Sequence, residues 1–422
     1  MIAGRLERQA CFIMQFENLA KGIGMASICM YFQVHQPLRL RKVSLLNVYS
    51  GQMPSSPKDA YFNRELNEQI FRKVATKCYL PTNELLLKMI DEHHGDFRFS
   101  FSLTGVFLEQ CEMFGKDVLQ SFKRLADTGK VDFLAETYYH SLSSFYRDGS
   151  EFDSQVAMHH EAIRSLLGVS PQVFRNTESI FSNDIASRVE KLGYSGIIAE
   201  GIEHTLGWRS PNYVYNVQGC EKIKVLMRNY NLSDDIGYRF SSRAWKEWPL
   251  TAEKYAGWLA KCDGQCVNIF MDFETFGEHH WSDTGIFSFL QKLPSECLSH
   301  SNLNFRMARE VAEWDARGTM DVPYPTSWAD MERDLSAWLG NDMQHACFNE
   351  MESLGEAARR QGGENLEAWR LLQSSDHLYY LCTKSMSDGD VHKYFSHYAN
   401  PYEGFINYMN IIQDFKSRLG GV

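Results

Sequence analysis

A parallel α/β barrel followed by helices is the fold class this chain predicts, on three observations. Seven apolar, strand-like runs recur over residues 27–276, with helical periodicity between them. Charged and polar residues gather at the C-terminal ends of those runs, and the last third reads as helix. Strand alternating with helix this often argues a parallel sheet closed on itself, whose strand ends meet at one mouth.

The runs are ICMYFQVH from residue 28, RFSFSLTGVF (98–107), VDFLAETYY (131–139), VFRNTESI (173–180), YSGIIAEG (194–201), KVLMRNYNL (224–232) and VNIFMDFETF (267–276). Most lack strict alternation, as strands buried on both faces do. The helices between them carry start and stop signals: Thr82/Asn83 to Gly95, a stop at Gly129, a stop at Gly168, Ser182/Asn183 to Gly193, and Thr251 to Gly264. After residue 276 an eighth strand is hard to find. GIFSFLQKLPSE, MAREVAEWDARG, ADMERDLSAWLG, MQHACFNEMESLGEAARR and two further segments read as helix. With no Pro/Ser-rich linker, the helices are expected to pack on the barrel. The organisation expected is an extension over 1–24, a barrel over 25–300 and a helical region over 301–422, with Met25 an alternative start.

A chain of 422 residues is long enough for one large core with an appended region. Its formal net charge of −10, without a basic tract, argues against nucleic acid and anionic membranes as partners. No stretch reaches a membrane span, and Glu7 and Glu17 interrupt any secretory signal, so a cytoplasmic location is expected. The ten cysteines show no disulfide framework and read as reduced thiols. Cys262 and Cys266 in CDGQC lack the second ligand pair that zinc needs. Aromatics at 13% often stand beside polar residues, as in Tyr138-Tyr139-His140 and His279-His280-Trp281. That mixture suits a sugar site, where rings cover pyranose faces and polar tips take hydroxyls.

Two run ends deliver carboxylates: Arg175-Asn176-Thr177-Glu178 and Asp272-Phe273-Glu274-Thr275. A carboxylate pair at a barrel mouth is the raw material of glycoside hydrolysis. Together with His35-Gln36-Pro37, the 129–136 segment GKVDFLAE, LSAWLG (335–340) and Ser375-Asp376-His377, these motifs resemble glycoside hydrolase family 57, in particular its α-amylase-type members. The resemblance covers most of the chain from about residue 25. It implies an incomplete (β/α)7 barrel, an α-glucan substrate, Glu178 as nucleophile and Asp272 as general acid/base, with no cofactor or metal in the mechanism.

The residue chemistry agrees with that division. Arg175 lies three positions before Glu178, where a guanidinium would keep a carboxylate ionised. Asp272 follows the apolar run 267–271, and burial there would raise an acid's pKa. Glu274 would share a face with Asp272 and help hold its proton by like charge. His35, Gln36, Glu136, His140, Arg175, Trp281, Trp338, Asp376 and His377 are the further substrate-binding candidates, with Trp328 another possible platform. Each has a plainer structural reading: an internal Glu136–His140 pair, a core tryptophan, or a helix cap at Ser375 or Asp376.

Three rival readings stand beside hydrolysis of α-1,4-glucans. Glucan transfer or branching shares the glycosyl-enzyme intermediate and differs only in what attacks it. A glucan-binding protein without catalysis would have lost a carboxylate. A metal-dependent deacetylase barrel would use His93-His94 or His279-His280, but His93 precedes Gly95 at a helix end, on the side away from the mouth. Oligomeric state and a structural calcium are not legible.

Overall fold

A computed structural model describes residues 26–51, 53–384 and 396–420. The expected extension over 1–24 lies outside them. Among the described residues ten strands form: β1 Ala26–Val34, β2 Phe99–Leu103, β3 Val131–Phe133, β4 Val173–Phe174, β5 Gly196–Glu200, β6 Val214–Val217, β7 Lys224–Arg228, β8 Cys266–Asp272, β9 Leu303–Phe305 and β10 Thr319–Met320. The seven expected runs correspond to β1–β5, β7 and β8. They make two parallel arcs, β3-β2-β1-β8 and β4-β5-β7.

The arcs join into a barrel with one imperfect seam. Between β3 and β4 a bridge links Ala135 to Phe174, with Ala135 N donating to Val173 O at 2.9 Å and Arg175 N to Ala135 O at 2.8 Å. Between β7 and β8 there is no ladder. There Asn268 Nδ2 donates to Met227 O at 2.8 Å and Asn229 N to Asn268 O at 2.9 Å. Lower down, Asn212, at the approach to the antiparallel β6, accepts from Gln265 N and Cys266 N. This is the incomplete (β/α)7 barrel, with β9 added beside β1 and β10 beside β6.

Strand alternation sorts the side chains. Ile28, Met30, Phe32, Phe99, Phe101 and Leu103 face the surrounding helices, and Phe32 meets Phe99, Phe101, Phe273 and Phe276 at ring distances of 5.6–5.8 Å. Cys29, Tyr31, Ile198, Leu226 and Phe270 fill the interior with Ala308, Val311 and Ala312 of the helix Ala308–Ala312. That helix plugs the lower end, where Ser100 Oγ accepts from Ala308 N at 2.9 Å. Two residues further along the same strands the inward positions turn polar: Gln33, Ser102, Glu200, Arg228 and Asp272. The period of two therefore stacks a polar layer on an apolar one, and the polar layer lies at the mouth.

Local signals hold where their chemistry is unambiguous. Ser182 and Thr251 cap Asn183–Lys191 and Ala252–Leu259, and Gly168 takes φ 75° at the end of Ser150–Leu167. The start expected at Thr82/Asn83 is corrected. The chain is already helical from Arg64, and both residues are buried within Leu80–Glu92. MAREVAEWDARG and ADMERDLSAWLG yield only Ala308–Ala312 and Ser336–Leu339. The C-terminal helices pack directly on the barrel: one core cluster joins Phe174, Ile197 and Val225 with Trp338, Trp369, Ile411 and Phe415.

Candidate active site

Glu178 sits four residues beyond β4, in a tight turn where it takes φ 57° and Ser179 φ 51°. Left-handed backbone at non-glycine residues costs roughly 1–3 kcal/mol each and persists only where surroundings enforce it. Here the enforcing contacts converge on one carboxylate. His140 Nε2 lies 3.1 Å from Oε1, Trp328 Nε1 donates to Oε2 at 2.8 Å, and Ser375 Oγ donates to Oε1 at 3.5 Å. Burial alone would raise this acid. His140, by hydrogen bond and charge, then Arg175 and the Trp328 bond, outweigh that and hold Glu178 below the usual carboxylate range.

His140 is itself strained, at φ 52°, and nearly fully buried. Its Nδ1 lies 3.4 Å from Glu136 Oε2. Burial disfavours its charge, but Glu136 and Glu178 reverse this and lift the imidazole to about 9. Glu136 has no exposure; it accepts from Ser102 Oγ and from Gln33 Nε2 at 3.4 Å. Glu136 and His140 were expected to read sugar hydroxyls, but they form the internal pair. The strand stops at Phe133, a turn follows, and Glu136 ends up beneath His140 instead of beside it on a strand face.

His35 stacks on His140 with ring centres 4.0 Å apart. Its nitrogens engage Thr104 Oγ1 at 2.9 Å and Asp376 Oδ2 at 2.8 Å. Burial opposes ionisation of Asp376, but His35, His140 and a 2.7 Å bond from Ser374 Oγ hold it well below the usual range. So His35 and Asp376 clamp the barrel to the C-terminal helices, reinforced where Ser375 N donates to His140 O at 2.9 Å. His377, expected beside them, turns away to Tyr408 at 5.4 Å and is buried. Trp338 is 1% exposed within the helical core and presents no face to a ligand.

Asp272 ends β8 in register with Gln33. Burial first, then the charge of Glu178, raise it to about 6 against Arg175, Arg228 and His140. Glu274 is buried and raised to about 8 by burial and by Asp272, and Tyr79 OH donates to its Oε1 at 2.5 Å. The expected assistance therefore runs the other way. Glu274 keeps its proton beyond Asp272, is neutral when Asp272 titrates, and leaves Glu178 as the like charge that raises Asp272. Gln36 supports this corner from within, Nε2 donating to Tyr79 OH at 3.2 Å, and is closed off from the mouth. Trp281 stands 60% exposed on the loop after β8, with Lys77 Nζ 5.2 Å from its ring centre.

Arg175 is fully buried, and all three guanidinium nitrogens lack a hydrogen-bond partner. It acts through charge and lies over the Trp328 ring at 4.6 Å. Sequence reasoning did not single out Glu200 and Arg228, paired at 3.0 Å and in register on β5 and β7. The signal was available, since each is the last residue of its strand. Asp234 and Arg333 carried no such mark, and Trp328, expected as a sugar platform, instead hydrogen-bonds Glu178. Among the described residues no grouping of His, Cys, Asp and Glu suits a metal. Cys262 and Cys266 face different cores, and His280 is engaged by Ser241 and by Ile236 O.

The family model described as glycosyl hydrolase family 57 matches residues 29–323. A relative from Methanocaldococcus jannaschii, named "Putative alpha-amylase", is 46% identical over 397 residues, covering 91% of this chain and 83% of the relative. The GH57-type branching enzyme of Pyrococcus horikoshii shares the fold with a TM-score of 0.66 at 15% identity, over 92% of this chain and 88% of that one. The 4-alpha-glucanotransferase of Thermococcus litoralis does so with a TM-score of 0.60 at 15% identity, over 94% of this chain and 60% of that longer one. With its strand order, its mouth carboxylates and this match, the chain is a member of glycosyl hydrolase family 57.

Proposed function

We propose that this enzyme hydrolyses α-1,4-glucosidic bonds in α-glucans such as glycogen, starch or maltodextrin, with retention. Glu178 attacks the anomeric carbon while Asp272 protonates the leaving oxygen; Asp272 then takes a proton from the water that releases the sugar. The observation that carries this reading is the opposite treatment of two carboxylates at one mouth. Glu178 is ringed by donors and stays ionised, whereas Asp272, half-buried and desolvated beside a like charge, keeps its proton to about 6. The relative's name supports the substrate class. The described cysteines are free thiols, which supports a reducing, cytoplasmic setting. Among the described residues no helix is long and apolar enough to cross a membrane.

The test follows reducing ends and chain lengths together on maltoheptaose. Hydrolysis predicts new reducing ends and shorter chains, with Glu178→Gln lowering turnover about 10³-fold or more. Longer and shorter chains without new reducing ends would make the enzyme a transferase and overturn the hydrolytic reading.

A further inference from the structure

The outer side of Glu178 is closed by the loop between Thr326 and Leu335, and that loop is built around Arg333. Trp328 meets Glu178 twice, its backbone N donating to Glu178 O at 3.2 Å and its indole N–H to the carboxylate. The indole ring also lies against two guanidiniums, Arg175 at 4.6 Å and Arg228 at 5.8 Å. A ring that gives its faces to cations and its N–H to an anion has a narrow tolerance for displacement. Something must hold its backbone.

Arg333 supplies that hold from several directions. Its guanidinium donates to Trp328 O, and its own carbonyl accepts from Ser327 N at 2.9 Å. The same guanidinium lies 3.6 Å from Glu200 and 3.5 Å from Asp234. These are the two carboxylates that bind Arg228 at 3.0 and 2.5 Å. Tyr230 lies under it at 5.5 Å. On the outer side, Lys384 Nζ grips Asp330 and Glu332, at 2.8 Å each. Asp330 and Arg333 both sit at φ 55°. Non-glycine residues keep such backbone only where surrounding contacts over-determine it.

We propose that Arg333 is a positioning residue: it ties the Trp328 carbonyl to the Glu200–Asp234 anchor and so keeps the indole N–H on Glu178. The inference rests on Glu178 being the nucleophile. A guanidinium suits the task because its planar fork spreads donors in a fixed geometry over a carbonyl and two carboxylates, whereas a lysine offers a single compact point charge. Arg228 still binds both Glu200 and Asp234 when Arg333 is changed; R333Q leaves one of the two carboxylate charges uncompensated, and R333K keeps a cation beside them. Glu178 still faces His140, Arg175, Asp272 and Ser375 in such a variant.

The experiment measures kcat and KM for maltoheptaose across pH, with thermal stability, for R333Q, R333K, W328F, R333Q/W328F and E178Q. R333Q is expected to lower kcat about 10- to 100-fold with KM nearly unchanged. Its acidic limb should move to higher pH, because Glu178 loses a donor. In the W328F background, R333Q should add less than about a further twofold. R333K, the variant to use if R333Q does not fold, should show a smaller loss in the same direction. Wild-type kcat and acidic limb in a folded but less stable R333Q, or multiplicative losses in the double variant, would overturn the proposal while leaving the nucleophile in place. Wild-type turnover in E178Q would instead sink the nucleophile reading and this proposal with it.

Discussion

On one wall of the mouth, Glu178 receives hydrogen bonds from an imidazole, an indole and a hydroxyl, in a backbone turn strained at two consecutive residues. On the other, Asp272 simply ends a regular strand above Phe270, and its neighbour Glu274 is a neutral acid braced by Tyr79. The Glu178 wall commits donors, charge and strain to keep a half-buried carboxylate ionised. The Asp272 wall needs only desolvation and one like charge to hold a proton to about 6. Ionising a buried group is the costly half of the pair, so the elaborate construction falls on that side.

The largest break in this contrast comes at the acid. Asp272→Asn should lower kcat about 10²- to 10⁴-fold on unactivated glucans. In the wild type, activity should fall as pH rises through about 6, where the proton Asp272 must donate is lost. Rate against pH on a substrate with a good leaving group checks the assignment, since such a substrate bypasses much of the loss.

His140→Gln tests the other wall and should cost about 10- to 100-fold in kcat, with the acidic limb moved upward as Glu178 is released. It also predicts a stability signature. His140 titrates at about 9 in the folded protein, above its ordinary value of 6.5. Its contribution is therefore complete below about pH 6.5 and is lost as pH rises through about 9. The melting-temperature gap between wild type and H140Q should be widest in acid and close in alkali.

The smallest effects should separate two tryptophans. Trp281→Ala removes an exposed ring and should raise KM by about three- to tenfold, leaving kcat within about twofold. Trp338→Ala opens a buried cavity and should cost about 3–5 kcal/mol of stability, with the folded fraction turning over normally.

The barrel was legible because its strands lie in longer apolar runs, even where the strand itself is short as in β3 and β4, and because run ends carry their chemistry in sequence order: His35, Glu178 and Asp272 all lie just where such runs close. The short additions β6, β9 and β10 left no pattern, since two to four residues cannot display a period and, unlike β3 and β4, they stand in no longer apolar run with a polar motif at its end. Depth was the other blind spot. Nothing local in Glu136-Thr137-Tyr138-Tyr139-His140 tells that the strand ends early and sinks Glu136 below the mouth, nor that Trp338 is interior while Trp281 is not. Arg333 was invisible for a different reason: its partners are distant in sequence, Glu200 at the end of β5 and Asp234 in the helix Tyr230–Gly237, and its own segment ADMERDLSAWLG reads as helix.

The clamp between His35 and Asp376 joins residues 341 positions apart. A chain emerging from the ribosome therefore presents His35, His140 and Glu178 long before the segment that locks them in place. Loop-closure entropy makes so distant a contact late in folding as well as late in synthesis. Partly made or C-terminally clipped molecules thus have Glu178 and Asp272 but not their finished geometry, and activity is expected only from the nearly complete polypeptide.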